Sequence, residues 1–233
     1  MRQCFDDRCA QVLGRLTEAL GRRWPGIPVV AAGLAPTQMP TTPGPYWPCD
    51  PLDGAIQYLA GLPMWTTTLT ADHQPQLAFV HDATLDRTFH AVRGRCAGSD
   101  GATVTCSDRQ SLASATVGTS FPNHPRRRRR KSMASSRCSG AWCPRCWRNA
   151  GSARRTVASG RLDAYWETGR HWIEWLPGLL VAQESGAAIS PFADVRFGQA
   201  GSGIIAGPAP FQRQLLDISR SLDSTREPRQ SFP

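Results

Sequence analysis

Trp47-Pro48-Cys49-Asp50-Pro51-Leu52-Asp53-Gly54-Ala55-Ile56-Gln57-Tyr58-Leu59-Ala60-Gly61-Leu62-Pro63 is the stretch on which the reading of this chain turns. Two carboxylates stand three residues apart, with a proline between them and a glycine directly after. Pro51 fixes its own φ and pushes Asp50 towards an extended conformation, so Asp50 is expected to end a strand. Asp53 and Gly54 then turn the chain, and the following residues can open a helix. Such a turn aims two carboxylates and the free N–H groups of a helix start at one spot. Hard cations want the carboxylates, and a phosphate wants the N–H groups. A bare D-x-x-D usually marks a solvated, capped turn. The whole string is far more specific.

Outward from it, residues 5–23 predict a helix, with Phe5, Cys9, Val12, Leu13, Leu16 and Leu20 at helical spacing. Asp6 and Asp7 near its start suit the positive end of the helix dipole. Trp24-Pro25-Gly26 ends it, and Ile27 to Ala32 reads as a short buried strand. Residues 34–48 form a Pro/Thr/Gly-rich loop. Beyond the motif, strands are expected at Trp65–Thr70, Leu77–His81, Thr88–Gly94 and Ala102–Cys106, with a turn at His73-Gln74-Pro75. Downstream, Trp172, Trp175, Leu176, Leu179 and Leu180 make one helical face, awkwardly interrupted by Pro177. Ser202–Gly207 predicts a strand, and Pro210–Leu222 a closing amphipathic helix.

Composition bounds the possibilities. The 233 residues suffice for one sizeable core or two small ones. No apolar run reaches the ~18 residues of a membrane span, and Met1-Arg-Gln-Cys-Phe-Asp-Asp lacks the apolar core of a signal peptide. Eight cysteines without a framework point to reduced thiols in a cytoplasm. The net charge of +9 is local. Residues 126–155 hold ten Arg, one Lys and no acid; taking those 11 from the 27 basic residues leaves 16 against 18 acidic, so the body is mildly acidic.

That basic segment begins Pro125-Arg-Arg-Arg-Arg-Arg-Lys131 and shows no regular period. It holds Trp142, Trp147, Cys138, Cys143 and Cys146. Three readings compete. The C-x-x-C of Cys143 and Cys146 reads as half a zinc site, but Cys138 brings the thiols only to three and no second pair exists. Arginines with tryptophans suit single-stranded RNA, through charge and stacking. GC-rich DNA read out of frame, or a recent insertion, also yields Arg, Cys, Trp and Ser with few acids, and this third reading accounts best for the abrupt return of pattern near Thr156. The resulting division is 1–124 with the carboxylate turn, 125–155 atypical, 156–222 a C-terminal α/β part, and 223–233 a tail.

Trp-x-x-Asp-Pro-Leu-Asp-Gly-x-x-Gln-Tyr-x-x-Gly-x-Pro resembles the first signature of the inositol monophosphatase family of Mg-dependent sugar phosphatases. A second signature follows in order: Gly160-Arg-Leu-Asp163-Ala-Tyr165-Trp-Glu167, then Trp172-Ile-Glu174, then Gly178-Leu-Leu-Val-Ala-Gln-Glu184-Ser-Gly186. The resemblance covers roughly residues 5–124 and 156–218. It implies an α/β (α+β) fold, a layered α-β-α-β-α sandwich, and commonly a homodimer. It also implies a helix ahead of the first one read here. The implied activity is Mg2+-dependent hydrolysis of a small phosphorylated metabolite, with Asp50 and Asp53 catalytic. Asp50, the Leu52 carbonyl, Asp53 and Glu174 would bind metal, Gly54 and Ala55 would offer N–H groups to phosphate, and Glu167 would bind a substrate hydroxyl. Arg148-Asn-Ala-Gly151-Ser-Ala153 is similar to a substrate-contacting segment, at altered spacing.

The departures from the family pattern are specific. Ala31-Ala32-Gly33 stands where the family has Gly-Glu-Glu, so Gly33 replaces a metal-binding Glu. Ala55 replaces a Thr whose hydroxyl orients the attacking water, and Glu174 replaces an Asp. Losing a metal-ligating charge and a water-positioning hydroxyl should each cost orders of magnitude in rate. The resemblance thus implies one well-formed Mg site beside a damaged one. Its alternative is a catalytically inactive member acting as a protein- or RNA-binding factor, through the 126–131 arginine run if that run is real.

Overall fold

The computed structural model describes residues 2–31, 44–61, 66–70, 75–83, 85–119, 157–168, 172–191 and 203–223. In chain order they form α1 (Arg2–Arg23), β1 (Val29–Ala31), β2 (Trp47–Asp53), α2 (Ala55–Leu59), β3 (Thr66–Thr70), β4 (Leu77–Asp82), β5 (Arg87–Val92), β6 (Ala97–Ser99) and β7 (Ala102–Thr103). A 3-10 turn at Leu112–Ser114 leads into β8 (Val117–Thr119), β9 (Ala164–Thr168), α3 (Trp172–Glu184), β10 (Ala188–Pro191), β11 (Gly203–Gly207) and α4 (Ala209–Asp223). The Arg/Cys-rich segment 125–155, the Arg148–Ala153 segment, Gly33, His73 and the tail beyond Asp223 lie outside the described residues.

Two sheets result. The larger runs in chain order from β1 to β7, antiparallel throughout except for the parallel β1–β2 pair. The smaller is ordered β10-β11-β9-β8, with β8 parallel to β9. Helix α1 lays Leu13, Leu16 and Leu20 on one face of the large sheet, against Trp47, Cys49, Leu77 and Phe79. On the opposite face Ala78, Val80, Phe89 and Ala91 meet Leu180 and Val181 of α3. Tyr165 and Ile204 of the small sheet meet Trp175, Leu179 and Ala182 of the same helix. Phe211 and Leu215 of α4 close the outer face, with Trp166 and Ile205. The order of layers is helix, sheet, helix, sheet, helix, as the expected sandwich requires.

The central layer corrects a reading of periodicity. Helix α3 was expected to present one apolar face, but residues 175–182 are buried all round. A helix between two sheets has no solvent side, so its apolar positions cannot follow a single stripe. Each fully buried large side chain there contributes roughly 1.5–3 kcal/mol. Pro177 lies in the second turn, past the first-turn position that a proline tolerates without loss, and so removes one helical hydrogen bond.

Three further details differ from the expectation. Helix α1 starts at Arg2, so Asp6 and Asp7 fall beyond its first turn and gain little from the dipole. Strand β1 is half-buried rather than buried. The strand expected at Ala102–Cys106 is only Ala102–Thr103, the second arm of a tight hairpin with β6. Asp100 and Gly101 form its turn with φ of 52° and 80°. An Asp-Gly pair with positive φ at both positions is the twist-matched two-residue hairpin connection.

Candidate active site

Strand β2 does not stop at Asp50 as expected. It continues through Asp53, and its register against β3 shifts in between: Asp50 faces Thr68 and Asp53 faces Thr66. Three steps on one strand oppose two on the other, which is a bulge, and Pro51 lies inside it without an N–H to give the ladder. The Leu52 N–H donates to Asp50 Oδ1 at 3.1 Å, so the bulge is held by the carboxylate it displays. Asp53 is 5% exposed at the strand end. Gly54 takes φ 102° and opens α2, whose Tyr58 N–H returns to the Gly54 carbonyl at 2.9 Å. The positive φ explains glycine here, and Ala55 is the first helical residue.

The sheet register and the packing of α3 fix what shares this end of the molecule. Leu77 pairs with Val92 at one end of the β4–β5 ladder and Asp82 with Arg87 at the other. The last turn of α3 lies at the Leu77–Val92 end, because Glu184 Oε1 accepts the Gly94 N–H at 3.0 Å. Its first turn, with Glu174, is therefore some ten residues or about 15 Å away, at the Asp82 end. His81 pairs with Thr67, and Thr66 with Asp53, so the carboxylate turn sits at that end too. Glu167 is the next-to-last residue of β9, on the face that Tyr165 presents to α3. It is 4% exposed, and its Oε2 accepts the Tyr165 hydroxyl at 2.7 Å.

The carboxylate turn Asp50–Ala55 and Glu174 thus lie at one end of the fold, and β9 runs towards that same end, because its start lies beside Gly207, the partner of Ala188 just after α3, which brings Glu167 there too. Among the described residues, however, no three His, Cys, Asp or Glu side chains close around one point as a ready metal cage.

Charge at Asp50 also reaches helix α1. Burial first, and then the Asp50 carboxylate, push the Cys49 thiol up to about 12. The same two causes, with Asp6 added, push Cys9 on α1 up to about 11. Both thiols therefore stay protonated beside the carboxylate turn at neutral pH. Helix α1 touches α2 as well, where the Phe5 and Tyr58 rings lie 5.8 Å apart.

Two features of the second motif carry structure that the string alone did not reveal. Asp163, 5% exposed, accepts the Ser107 hydroxyl at Oδ1 and the Thr116 N–H at Oδ2 (2.7 Å). It also pairs with Arg109 at 3.1 Å, so it ties the loop before β8 to the start of β9. Tyr165 likewise has a definite partner, Glu167, and their spacing of two on a strand was the signal that put them on one face.

Alternating layers of three helices and two sheets, with a bulged strand of two aspartates at one end, make a sandwich of the sugar-phosphatase type. The chain belongs to the inositol monophosphatase family, whose sequence model matches residues 11–223. It is 30% identical over 182 residues to the Nus factor SuhB of Pseudomonas aeruginosa, an alignment covering 73% of this chain and 65% of that protein. The chain therefore spans just under two thirds of that relative's length. Among solved structures, the extragenic suppressor protein suhB of Bartonella henselae superposes with a TM-score of 0.80 at 19% identity, covering 94% of this chain and 85% of that one. An IMPase/NADP phosphatase complexed with Mg2+ and phosphate superposes with a TM-score of 0.73 at 16% identity, covering 91% and 80%. At those identities the likeness is one of fold.

Proposed function

We propose that this chain is an Mg2+-dependent phosphomonoesterase acting on a small sugar, inositol or similar phosphate, with a weakened metal centre. The observation that carries the reading is the Asp53–Gly54 turn: a buried carboxylate ends a bulged strand, and the backbone N–H groups of Gly54 and Ala55 follow at once. The donors present fit Mg2+, an ion bound through one or two carboxylates with water and phosphate oxygens rather than by a closed protein cage. Asp50, the Leu52 carbonyl and Asp53 would hold it, with Glu174 reaching from the first turn of α3. When bound, the ion would neutralise phosphate charge and sharpen the acidity of a water.

The chain's own residues divide the remaining work. Asp50 and Asp53 fix the charge that the phosphate side must balance, and the bulge holds them in place. Gly54 and Ala55 orient the phosphate by their N–H groups. Glu167 receives a hydroxyl of the alcohol moiety. Ala55 has no hydroxyl to steer a water, and Gly33 brings no charge, so turnover is slow. The same reading makes the protein a cytoplasmic homodimer.

Phosphate release from myo-inositol 1-phosphate, measured against Mg2+ concentration, tests the proposal. The wild-type rate should rise with Mg2+ and be abolished in Asp53→Asn, at least about a hundredfold down. Equal rates in the two proteins would overturn it. Two tight, catalytically competent Mg2+ sites would overturn the weakened centre alone.

The Nus-factor description of the Pseudomonas relative favours a second reading, a non-catalytic family member acting through RNA or protein. Its mark would be RNA binding that weakens steeply with salt and is lost when residues 126–131 are deleted.

A further inference from the structure

We infer that Tyr165 is a positioning residue for substrate selection: its hydroxyl sets the plane of the Glu167 carboxylate, so that Glu167 discriminates a polyol phosphate from a phosphate without neighbouring hydroxyls. The inference rests on the reading of Glu167 as the ligand of a substrate hydroxyl, and adds the device that makes Glu167 selective.

The geometry is specific. Tyr165 is fully buried, and its ring is packed in the core cluster with Trp175, Leu179 and Ile204. A phenol has few rotatable bonds, and this one is locked by the core, so its O–H points in one direction. That direction ends on Glu167 Oε2, at 2.7 Å. Short O–H bonds to a carboxylate are among the strongest hydrogen bonds in proteins. Both residues stand on β9, a strand paired on both sides, with Tyr165 opposite Ala206 and Glu167 opposite Ile204. Strand, ring and carboxylate therefore form one rigid unit that ends near the first turn of α3.

Rigidity matters here because Glu167 is nearly buried. A buried carboxylate that had to turn to meet a hydroxyl would give up existing contacts, and the gain from the new bond would be offset. One oriented in advance gains the full bond only when a hydroxyl is supplied in the right place. A site oriented to pair a substrate hydroxyl favours the ligand that supplies it, because an analogue without that hydroxyl forgoes the bond. Tyr165→Phe removes one oxygen atom from this unit and leaves the packed ring.

The experiment is calorimetric titration of myo-inositol 1-phosphate and of inorganic phosphate, each with Mg2+, into wild type, Tyr165→Phe, Glu167→Gln and the double variant. Tyr165→Phe should weaken the polyol phosphate roughly tenfold and leave inorganic phosphate within about twofold. Glu167→Gln should do the same, and the double variant should be no worse than Glu167→Gln alone, since both changes act through one group. Unchanged polyol affinity in Tyr165→Phe, or equal losses for both ligands, would overturn the inference and leave Tyr165 a core residue. So would a wild type that binds both ligands alike, or neither. If Tyr165→Phe does not fold, Glu167→Asp takes its place, because the shorter arm withdraws from the phenol. A lowered melting temperature with wild-type polyol affinity in that variant would equally overturn it. Parallel assays of phosphate release keep the two readings apart: discrimination in binding without hydrolysis sinks the phosphatase reading and leaves the role of Tyr165 standing.

Discussion

The Gly94 N–H donates to the Glu184 carboxylate at 3.0 Å across a sequence separation of 90 residues. This bond joins the last turn of α3 to the turn between β5 and β6, and so records which way the central helix runs over the large sheet. The opposite direction would put Glu174 at the far end from Asp53. Glu184→Ala should therefore lower stability by about 1 kcal/mol, or about 2–4 °C in melting temperature. Glu184→Gln keeps an acceptor and should restore most of it, which thermal melts of the three proteins would show.

Gly207 closes β11 where a side chain has no room. A Cβ there would stand 2.9 Å from the Ala164 Cβ and 3.0 Å from the Asp163 carbonyl oxygen. Both neighbours are on or beside the central strand β9 and cannot yield cheaply. Gly207→Ala should cost about 1–3 kcal/mol by overcrowding, read as a lower urea midpoint with an unchanged slope.

Ala55 begins α2 directly after the turn and is half-buried there. Restoring a hydroxyl at that place supplies the group that the family pattern uses to steer water. Ala55→Thr should raise Mg2+-dependent phosphate release about tenfold or more with little change in KM, because only the transition state gains. A rate no higher than wild type would show that the missing hydroxyl is not what limits turnover.

Thiol chemistry gives a prediction for the metal-free protein. Cys49 and Cys9 are raised from an ordinary 9.0 to about 12 and about 11, chiefly by burial. Both stay protonated in the folded state through the range where the unfolded chain ionises. Their contribution to stability is whole below pH 9 and is lost as pH rises from there towards 12. Urea midpoints should accordingly fall across that window, and less steeply in Cys49→Ala measured relative to its own value at pH 8. At pH 8, a thiol reagent should label the exposed Cys4 and Cys96 well before the buried Cys49.

Much of the fold was legible because its signals are local. Phe5, Leu13, Leu16 and Leu20 fall on one side of α1, which has solvent on the other, so its period survives in the sequence. The alternation in Leu77–Asp82 survives for a similar reason: Ala78, Val80 and Asp82 are buried, while Leu77, Phe79 and His81 are half-buried. Asp50, Asp53 and Gly54 declared a turn by proline and glycine geometry alone. Strand β6 is not legible in the sequence because its three residues, Ala97-Gly98-Ser99, carry no apolar pattern. Only the Asp100-Gly101 pair marked it.

The sequence by itself determined the carboxylate turn, the helices with a solvent side and the family likeness, since each depends on residues close together in the chain. Tertiary structure alone decided that α3 is buried all round, that its first turn shares an end with Asp53, and that Tyr165 holds Glu167. Periodicity reports how one element meets water. It does not report which two sheets enclose a helix, nor in which direction, because those choices are made by contacts between residues far apart in sequence, such as Gly94 with Glu184.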